Sequence, residues 1–363
     1  MKTELELNEM ILGITNKIRE RNPELLKYLN EMPITVPYQE NPEITVKTLT
    51  SYYDSLVVLF EKYENSHAKN SVSNKVEKLP ITEIVTMELE NSYQNLLTEV
   101  NNFIISYNDV GEESIPVIFL HGFPFDKSMW KGQLDSLKAS NRTIACDIRG
   151  FGKSTDGNSL LSIDLFSEDL IAFMDKLNIE KAIVCGLSMG GFIALNAVKR
   201  FPERFEALIL CDTQCISDTA EVKENRYKAI EQINQDGTAE FNEKFIKNVF
   251  HPNSLTNKTE LVENLSSIVY TNSKEIITSG ITALAERSET CSSLSAIRIP
   301  TLIICGREDA VTPLVQSEFM HEHIEGSSLK IIDNSGHVSN LEQPEEFNKY
   351  VRNFLNSLDS VSD

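Results

Sequence analysis

The sequence predicts an α/β fold, a mostly parallel sheet with helices on both faces, preceded by a small all-α N-terminal domain. Three observations carry that expectation. Short, near-continuous apolar runs at 115–120, 143–147, 181–185, 207–211, 301–305 and 329–332 read as strands buried on both faces. Amphipathic stretches separate them, as in the stripe Phe166, Leu170, Phe173 and Leu177, and this alternation is the pattern of parallel strands joined by crossover helices. The residues with chemical potential come directly after the strands, where sheets of this kind bind ligands.

Taken in order, residues 1–64 read as a helical domain. Leu7, Ile11, Ile14 and Ile18 recur at helical spacing, Pro23 opens a run through Leu25, Leu26 and Leu29, and 49–63 gives a third helix. Pro33, Pro37 and Pro42 exclude a continuous helix between the last two. Residues 65–94 form a linker, which begins with a Ser-, Asn-, Lys- and Glu-rich stretch and ends in a segment ambiguous between helix and strand. The main domain spans 95–358. It opens with a hairpin, 96–100 and 103–107, joined through Asn101 and Asn102. A helix near 129–137, the stripe at Phe166, a helix from 191 to about 201 and a last helix at 345–358 alternate with the strands.

Composition narrows the function. The chain has 363 residues, 41% of them hydrophobic, enough for a sizeable core. With 54 Asp and Glu against 34 Lys and Arg, the formal charge of -20 disfavours nucleic acid and anionic lipid surfaces as partners. No apolar run approaches the about 18 residues of a membrane span, and the N-terminus lacks a signal-peptide pattern. The six cysteines, Cys146, Cys185, Cys211, Cys215, Cys291 and Cys305, show no C-x-x-C spacing and are expected to be reduced and buried, which points to the cytoplasm. His321 and His323 make the one close histidine pair, read as a solvated helix end rather than a metal site. No cofactor is implied, because neither a Rossmann nor a Walker glycine pattern is present.

The organising stretch is Gly186-Leu187-Ser188-Met189-Gly190, a turn between a strand and a helix with a serine at its apex. Two glycines flanking a sharp turn mark positions without room for a Cβ, and the helix behind directs its N-terminal N–H groups and dipole at whatever reacts there. After the other strands come His121-Gly122-Phe123-Pro124, then Asp147 with Arg149, Gly150 and Gly152, then Asp309, then Ser335-Gly336-His337. The chain order is Ser, Asp, His.

Together these motifs resemble the α/β-hydrolase fold superfamily over residues 96–358. The resemblance implies a serine hydrolase with Ser188 as nucleophile, His337 as base and Asp309 as the orienting acid. It implies oxyanion donors at the backbone N–H groups of Met189 and Phe123. Asp212 also follows a strand, the one where some members carry their acid, and is the alternative to the preferred Asp309; Glu308 and Asp333 are weaker candidates. His121 is expected to hold the oxyanion loop in shape, Asp147 and Arg149 to brace, Cys185 to be inert, and His67 and His251 to be surface residues. A serine at the turn excludes the aspartate-dependent haloalkane dehalogenases and epoxide hydrolases of this fold.

The resemblance further implies a helical lid at about 215–298, where Tyr227, Phe241, Phe245, Phe250 and Tyr270 collectively suggest a partly apolar pocket. The segment 283–290 ahead of Ile299-Pro300, and 121–126 with Trp130, look like 3-oxoadipate enol-lactonase-like hydrolases and arylesterases. The expected reaction is cleavage of a small carboxylic ester or lactone. The alternatives are hydrolysis of a carbon–carbon bond in a ring-cleavage product and a triad-containing ligand receptor. Pro124 is similar to the proline of perhydrolase or haloperoxidase-like members and adds a peroxide-dependent side activity. Residues 1–64 fall outside the family pattern and are the candidate surface for a protein partner or homo-oligomer.

Overall fold

A computed structural model describes residues 94–111 and 115–359. The expected helical domain 1–64 and all of the linker but its final residue lie outside the described residues.

Eight strands form one sheet: β1 (Leu96–Val100), β2 (Phe103–Val110), β3 (Val117–Leu120), β4 (Thr143–Cys146), β5 (Ala182–Leu187), β6 (Phe205–Cys211), β7 (Thr301–Gly306) and β8 (Ser328–Ile332). Their order is β1-β2-β4-β3-β5-β6-β7-β8, with β1 and β2 antiparallel to their neighbours and all other pairs parallel. Asn101, at φ 52°, turns the hairpin, and Asn is among the few side chains that tolerate this left-handed backbone. The third strand begins two residues later than the apolar run suggests, since Pro116 has no N–H to give the ladder.

Alternate residues of each central strand feed two separate cores, as the period of two requires. Val184 of β5 packs into one, Ile183 and Cys185 into the other. The first core is covered by α2 (Ile163–Lys176) and α3 (Met189–Arg200), through Phe166, Leu170, Phe173 and Ile193. The second is covered by α1 (Lys131–Leu137) and the C-terminal helix Pro344–Asp359, through Leu134, Leu137, Phe347, Val351 and Leu355.

Between β6 and β7 the chain forms five helices: α4 (Ala220–Asp236), α5 (Ala239–Val249), α6 (Pro252–Asn257), α7 (Thr259–Thr271) and α8 (Lys274–Ala285). This insertion corrects the expectation of six reduced cysteines. Cys215, just after β6, and Cys291, near the end of the insertion, are joined in a disulfide although they lie 76 positions apart. The start and end of the insertion run side by side, Thr290 N–H donating to the Cys215 carbonyl at 2.8 Å. Cys146, Cys185, Cys211 and Cys305 are free and buried.

After β7 come α9 (Leu314–His323), β8, the short α10 (Ser339–Glu342) and α11 (Pro344–Asp359). Because β5 lies on the opposite side of β3 from β4, the loops leaving β3 and β5 emerge next to one another, Leu120 pairing with Gly186. That reversal of strand order opens a crevice at the strand ends.

Candidate active site

Ser188 sits between the last residue of β5 and the first of α3 at φ 53°, ψ -112°, a strained conformation for a side chain with a Cβ. The glycines around it are compelled by contact. A Cβ on Gly186 would lie 2.3 Å from the Gly190 carbonyl, and one on Gly190 would lie 2.2 Å from the Leu120 carbonyl. The turn is tied down by its backbone: Ser188 N–H donates to the Cys211 carbonyl at 2.9 Å, and its own carbonyl accepts from Thr213 Oγ1 at 2.8 Å. Ser188 itself remains partly exposed.

The loop after β3 runs against this serine, a Cβ on Gly122 falling 3.3 Å from the Ser188 Cβ. His121 is fully buried, and its Nε2 accepts from Ile148 N–H at 2.9 Å. The ring proton therefore resides on Nδ1, which donates to the Gly122 carbonyl at 2.9 Å. Burial lowers the pKa of this imidazole, so it stays neutral and shapes the loop. Beneath it, Asp147 accepts from Lys127 Nζ at 2.7 Å and from the Lys127 and Lys153 amides, while Arg149 grips Asp169 with two 2.6 Å bonds. Asp147 and Arg149 are braces.

His337, on the loop after β8, is 1% exposed, and its Nδ1 lies 2.8 Å from Asp309 Oδ2. Burial pulls the imidazole pKa down, but the charge and hydrogen bond of Asp309, with Glu342 further off, outweigh it and leave a net rise. Asp309 is buried too, which penalises its charge. The charge of His337 and hydrogen bonds from His337 and Thr312 overcome that penalty, and the carboxyl is held below its ordinary value. Its Oδ1 accepts from the Val311 and Thr312 amides at 2.8 and 2.9 Å, and its Oδ2 from Thr312 Oγ1 at 2.7 Å.

Asp212 takes different partners. Its Oδ1 accepts from Gly306 N–H at 2.8 Å and its Oδ2 from Ser339 Oγ at 2.5 Å, and burial followed by the Asp309 charge pushes its pKa up to about 8. Of the two acids, Asp309 is the one bonded to the imidazole. Glu308 accepts from Ser335 N–H, and Asp333 pairs with Arg307. Asp212, Cys305 and Asp309 bring potential metal ligands within 4.8 Å of one another. Their carboxylate oxygens are already occupied, and burial lifts the Cys305 thiol far above neutral pH, so the donor set does not suit an ion. His321 and His323 bond to Ser327 and to the Phe319 carbonyl respectively, not to a common point. His251 caps α6, and His67 lies outside the described residues.

The five aromatics of the insertion between β6 and β7 lie in different surroundings. Phe241 and Phe245 on α5 pack on the Phe123 ring, with centroids 6.4 and 6.2 Å away. Phe250 is buried in the second core, Tyr227 bonds to Glu286, and Tyr270 is 51% exposed. Sequence motifs gave no sign of Glu342, whose buried carboxylate accepts from Gly336 N–H at 2.6 Å and from His251 N–H of the insertion at 2.9 Å. Nor did they point to Val249, whose carbonyl accepts from His337 N–H at 2.8 Å. The insertion between β6 and β7 is thus bonded directly to the loop that carries His337.

With this geometry in hand, comparison with known proteins defines the class. Residues 115–344 match the family described as alpha/beta hydrolase fold, and the chain belongs to that family. It is an enzyme of the hydrolase class. It is similar to 3-oxoadipate enol-lactonase 2 of Acinetobacter baylyi, 32% identical over 248 residues that cover 68% of this chain and 91% of that protein. It is also 32% identical to 3-oxoadipate enol-lactonase 1 of the same organism over 271 residues, 72% of this chain and 97% of the relative. Among solved structures, a thermophilic esterase from Thermogutta terrifontis superposes with a TM-score of 0.70 at 29% identity, over 72% of this chain and 99% of that one. No helix among the described residues is long and apolar enough to cross a membrane.

Proposed function

We propose that this protein hydrolyses a small carboxylic ester or lactone through an acyl-enzyme on Ser188. The observation that carries the reading is the 2.8 Å bond between His337 Nδ1 and Asp309 Oδ2, on a histidine whose backbone is itself fixed. A carboxylate accepting from Nδ1–H leaves Nε2 with a lone pair, the form that takes a proton from a serine hydroxyl.

In the first step the Ser188 oxygen adds to the substrate carbonyl carbon as its proton passes to His337 Nε2. The negative oxygen that results is stabilised by the N–H groups of Met189 and Phe123, one at the N-terminus of α3 and one in the loop beside Ser188. Collapse expels the alcohol or enol oxygen, which receives the proton from the imidazolium. For a lactone the leaving oxygen stays tethered to the acyl group. Water then repeats the sequence and releases the acid. Asp309 holds the tautomer and balances the imidazolium charge throughout.

The enol-lactonase and esterase relatives support carboxylic esters and lactones as the substrate class. A small substrate is supported by the crowding of Phe241, Phe245 and Phe123 beside the serine turn. The buried free thiols favour a cytoplasmic setting, against which the Cys215–Cys291 bond weighs. The test is steady-state turnover of p-nitrophenyl esters of increasing acyl length by wild type, Ser188→Ala and His337→Ala. Both variants are expected to lose about a thousandfold or more in kcat/KM. Turnover that survives in Ser188→Ala overturns the proposal.

A further inference from the structure

Asn272, the C-cap of α7, reaches from the lid to the loop after β3. Its Nδ2 donates to the Pro124 carbonyl at 2.8 Å, with longer contacts to the Ile268 and Val269 carbonyls at 3.2 and 3.3 Å. An amide nitrogen carries two hydrogens, so the helix end and the loop are served together, and the bond to the loop is the shortest of the three. Pro124 directly follows Phe123.

Further restraints on this loop come from the sheet side. His121 anchors its first residue to Ile148, Phe125 N–H closes back on the Gly122 carbonyl, and Gly122 packs against Leu187 and Ser188. From the lid side, Phe241, Phe245 and Gly280 confine the Phe123 ring. Apolar contact of that kind restrains where a ring sits but gives a peptide plane no direction. A hydrogen bond to the next carbonyl does. The pyrrolidine ring fixes φ at Pro124, so holding that carbonyl also limits how the preceding peptide planes can rotate.

We propose that Asn272 is a positioning residue supplied by the lid, which aims the Phe123 N–H at the oxygen that becomes negative; the assignment rests on the serine-hydrolase reading above. The lid is then part of the catalytic apparatus as well as its roof. It acts at two points, through Asn272 on the oxyanion loop and through Val249 on the His337 loop. Misdirection of one oxyanion donor raises the energy of the tetrahedral state more than that of the bound ester, so the loss falls on kcat.

The test compares wild type, Asn272→Leu, which keeps the volume without the donor, and Asn272→Gln, which keeps the donor on a longer stem. The readouts are kcat and KM on p-nitrophenyl acetate, the melting temperature, and the affinity for an alkyl trifluoromethyl ketone. The serine oxygen adds to that ketone carbon, its proton passes to His337, and the negative oxygen left behind reports on the oxyanion donors. Asn272→Leu is expected to lower kcat and inhibitor affinity by about tenfold or more, in parallel, with KM within about twofold. Asn272→Gln should recover most of both. Wild-type kcat and inhibitor affinity in Asn272→Leu, whatever its melting temperature, would reduce Asn272 to a helix cap and overturn the assignment. A rise in KM alone would do the same. Should Asn272→Leu fail to fold, Asn272→Ala takes the same readouts. If wild type and Ser188→Ala coincide in turnover, the serine-hydrolase reading itself falls, and this assignment with it.

Discussion

Replacing Asp309 with Asn changes one atom at the centre of the site and leaves its shape intact. In the wild type, Oδ1 accepts from two backbone amides and Oδ2 from Thr312 Oγ1 and the His337 ring. An asparagine keeps the Oδ1 bonds and sets an NH2 group where Oδ2 stood. That group donates toward His337 Nδ1, so the ring proton moves to Nε2, the position from which a base must act. The variant also loses the charge that offsets burial, and the imidazole pKa falls from its raised value. A wrong tautomer and an unsupported imidazolium together are worth about 10³–10⁴ in kcat, roughly 4–5.5 kcal/mol of barrier. The assay is single-turnover acylation by a p-nitrophenyl ester across pH, for Asp309→Asn and Asp212→Asn side by side. Loss confined to Asp309→Asn is the expected result. A variant within about tenfold of wild type, or a larger loss in Asp212→Asn, would refute the reasoning and move the acid to the end of β6.

Three further outcomes follow from the same geometry. In the proposed mechanism His337 acts as a neutral base, and its pKa is raised, so kcat/KM should climb with pH through a midpoint above the about 6.5 of a free imidazole; a midpoint below that value contradicts the proposed base. Asp212 holds its proton in the folded state up to about pH 8, against about 3.9 for an unfolded aspartate, so its burial lowers stability progressively as pH rises from about 4 to 8. Asp212→Asn should flatten that part of the melting-temperature profile, and an unchanged slope would show that Asp212 is ionised throughout. Cys291→Ser frees a loop closed across a separation of 76, worth up to about 4.5 kcal/mol, and should lower the melting temperature as reductant does for wild type. Equal melting temperatures with and without reductant would show that the bond adds no stability.

The sheet was legible because its central strands are buried on both faces, so that the runs in β3, β5 and β7 are continuous and unmistakable in sequence. The serine turn was legible because contact geometry demands glycine at 186 and 190. Less could be read where structure depends on distant segments meeting. The Cys215–Cys291 bond joins positions whose proximity is set by how five intervening helices pack, which no local spacing encodes. Glu342 and Asn272 are single polar residues that each bond a backbone group far along the chain, His251 N–H and the Pro124 carbonyl respectively, and backbone partners leave no sequence trace. The aromatics of the insertion between β6 and β7 fall into different environments for a related reason. Composition alone does not distinguish Phe245, against the Phe123 ring, from Tyr270, which is half exposed.

The central claim is a covalent acyl group on Ser188, and rapid-quench mass spectrometry of the intact protein mixed with p-nitrophenyl acetate tests it most directly. A transient mass increase of one acetyl group, mapping to the peptide that carries Ser188 and absent from Ser188→Ala, is the predicted result. An acetyl group on any other residue during turnover, or turnover that persists in Ser188→Ala, would contradict it.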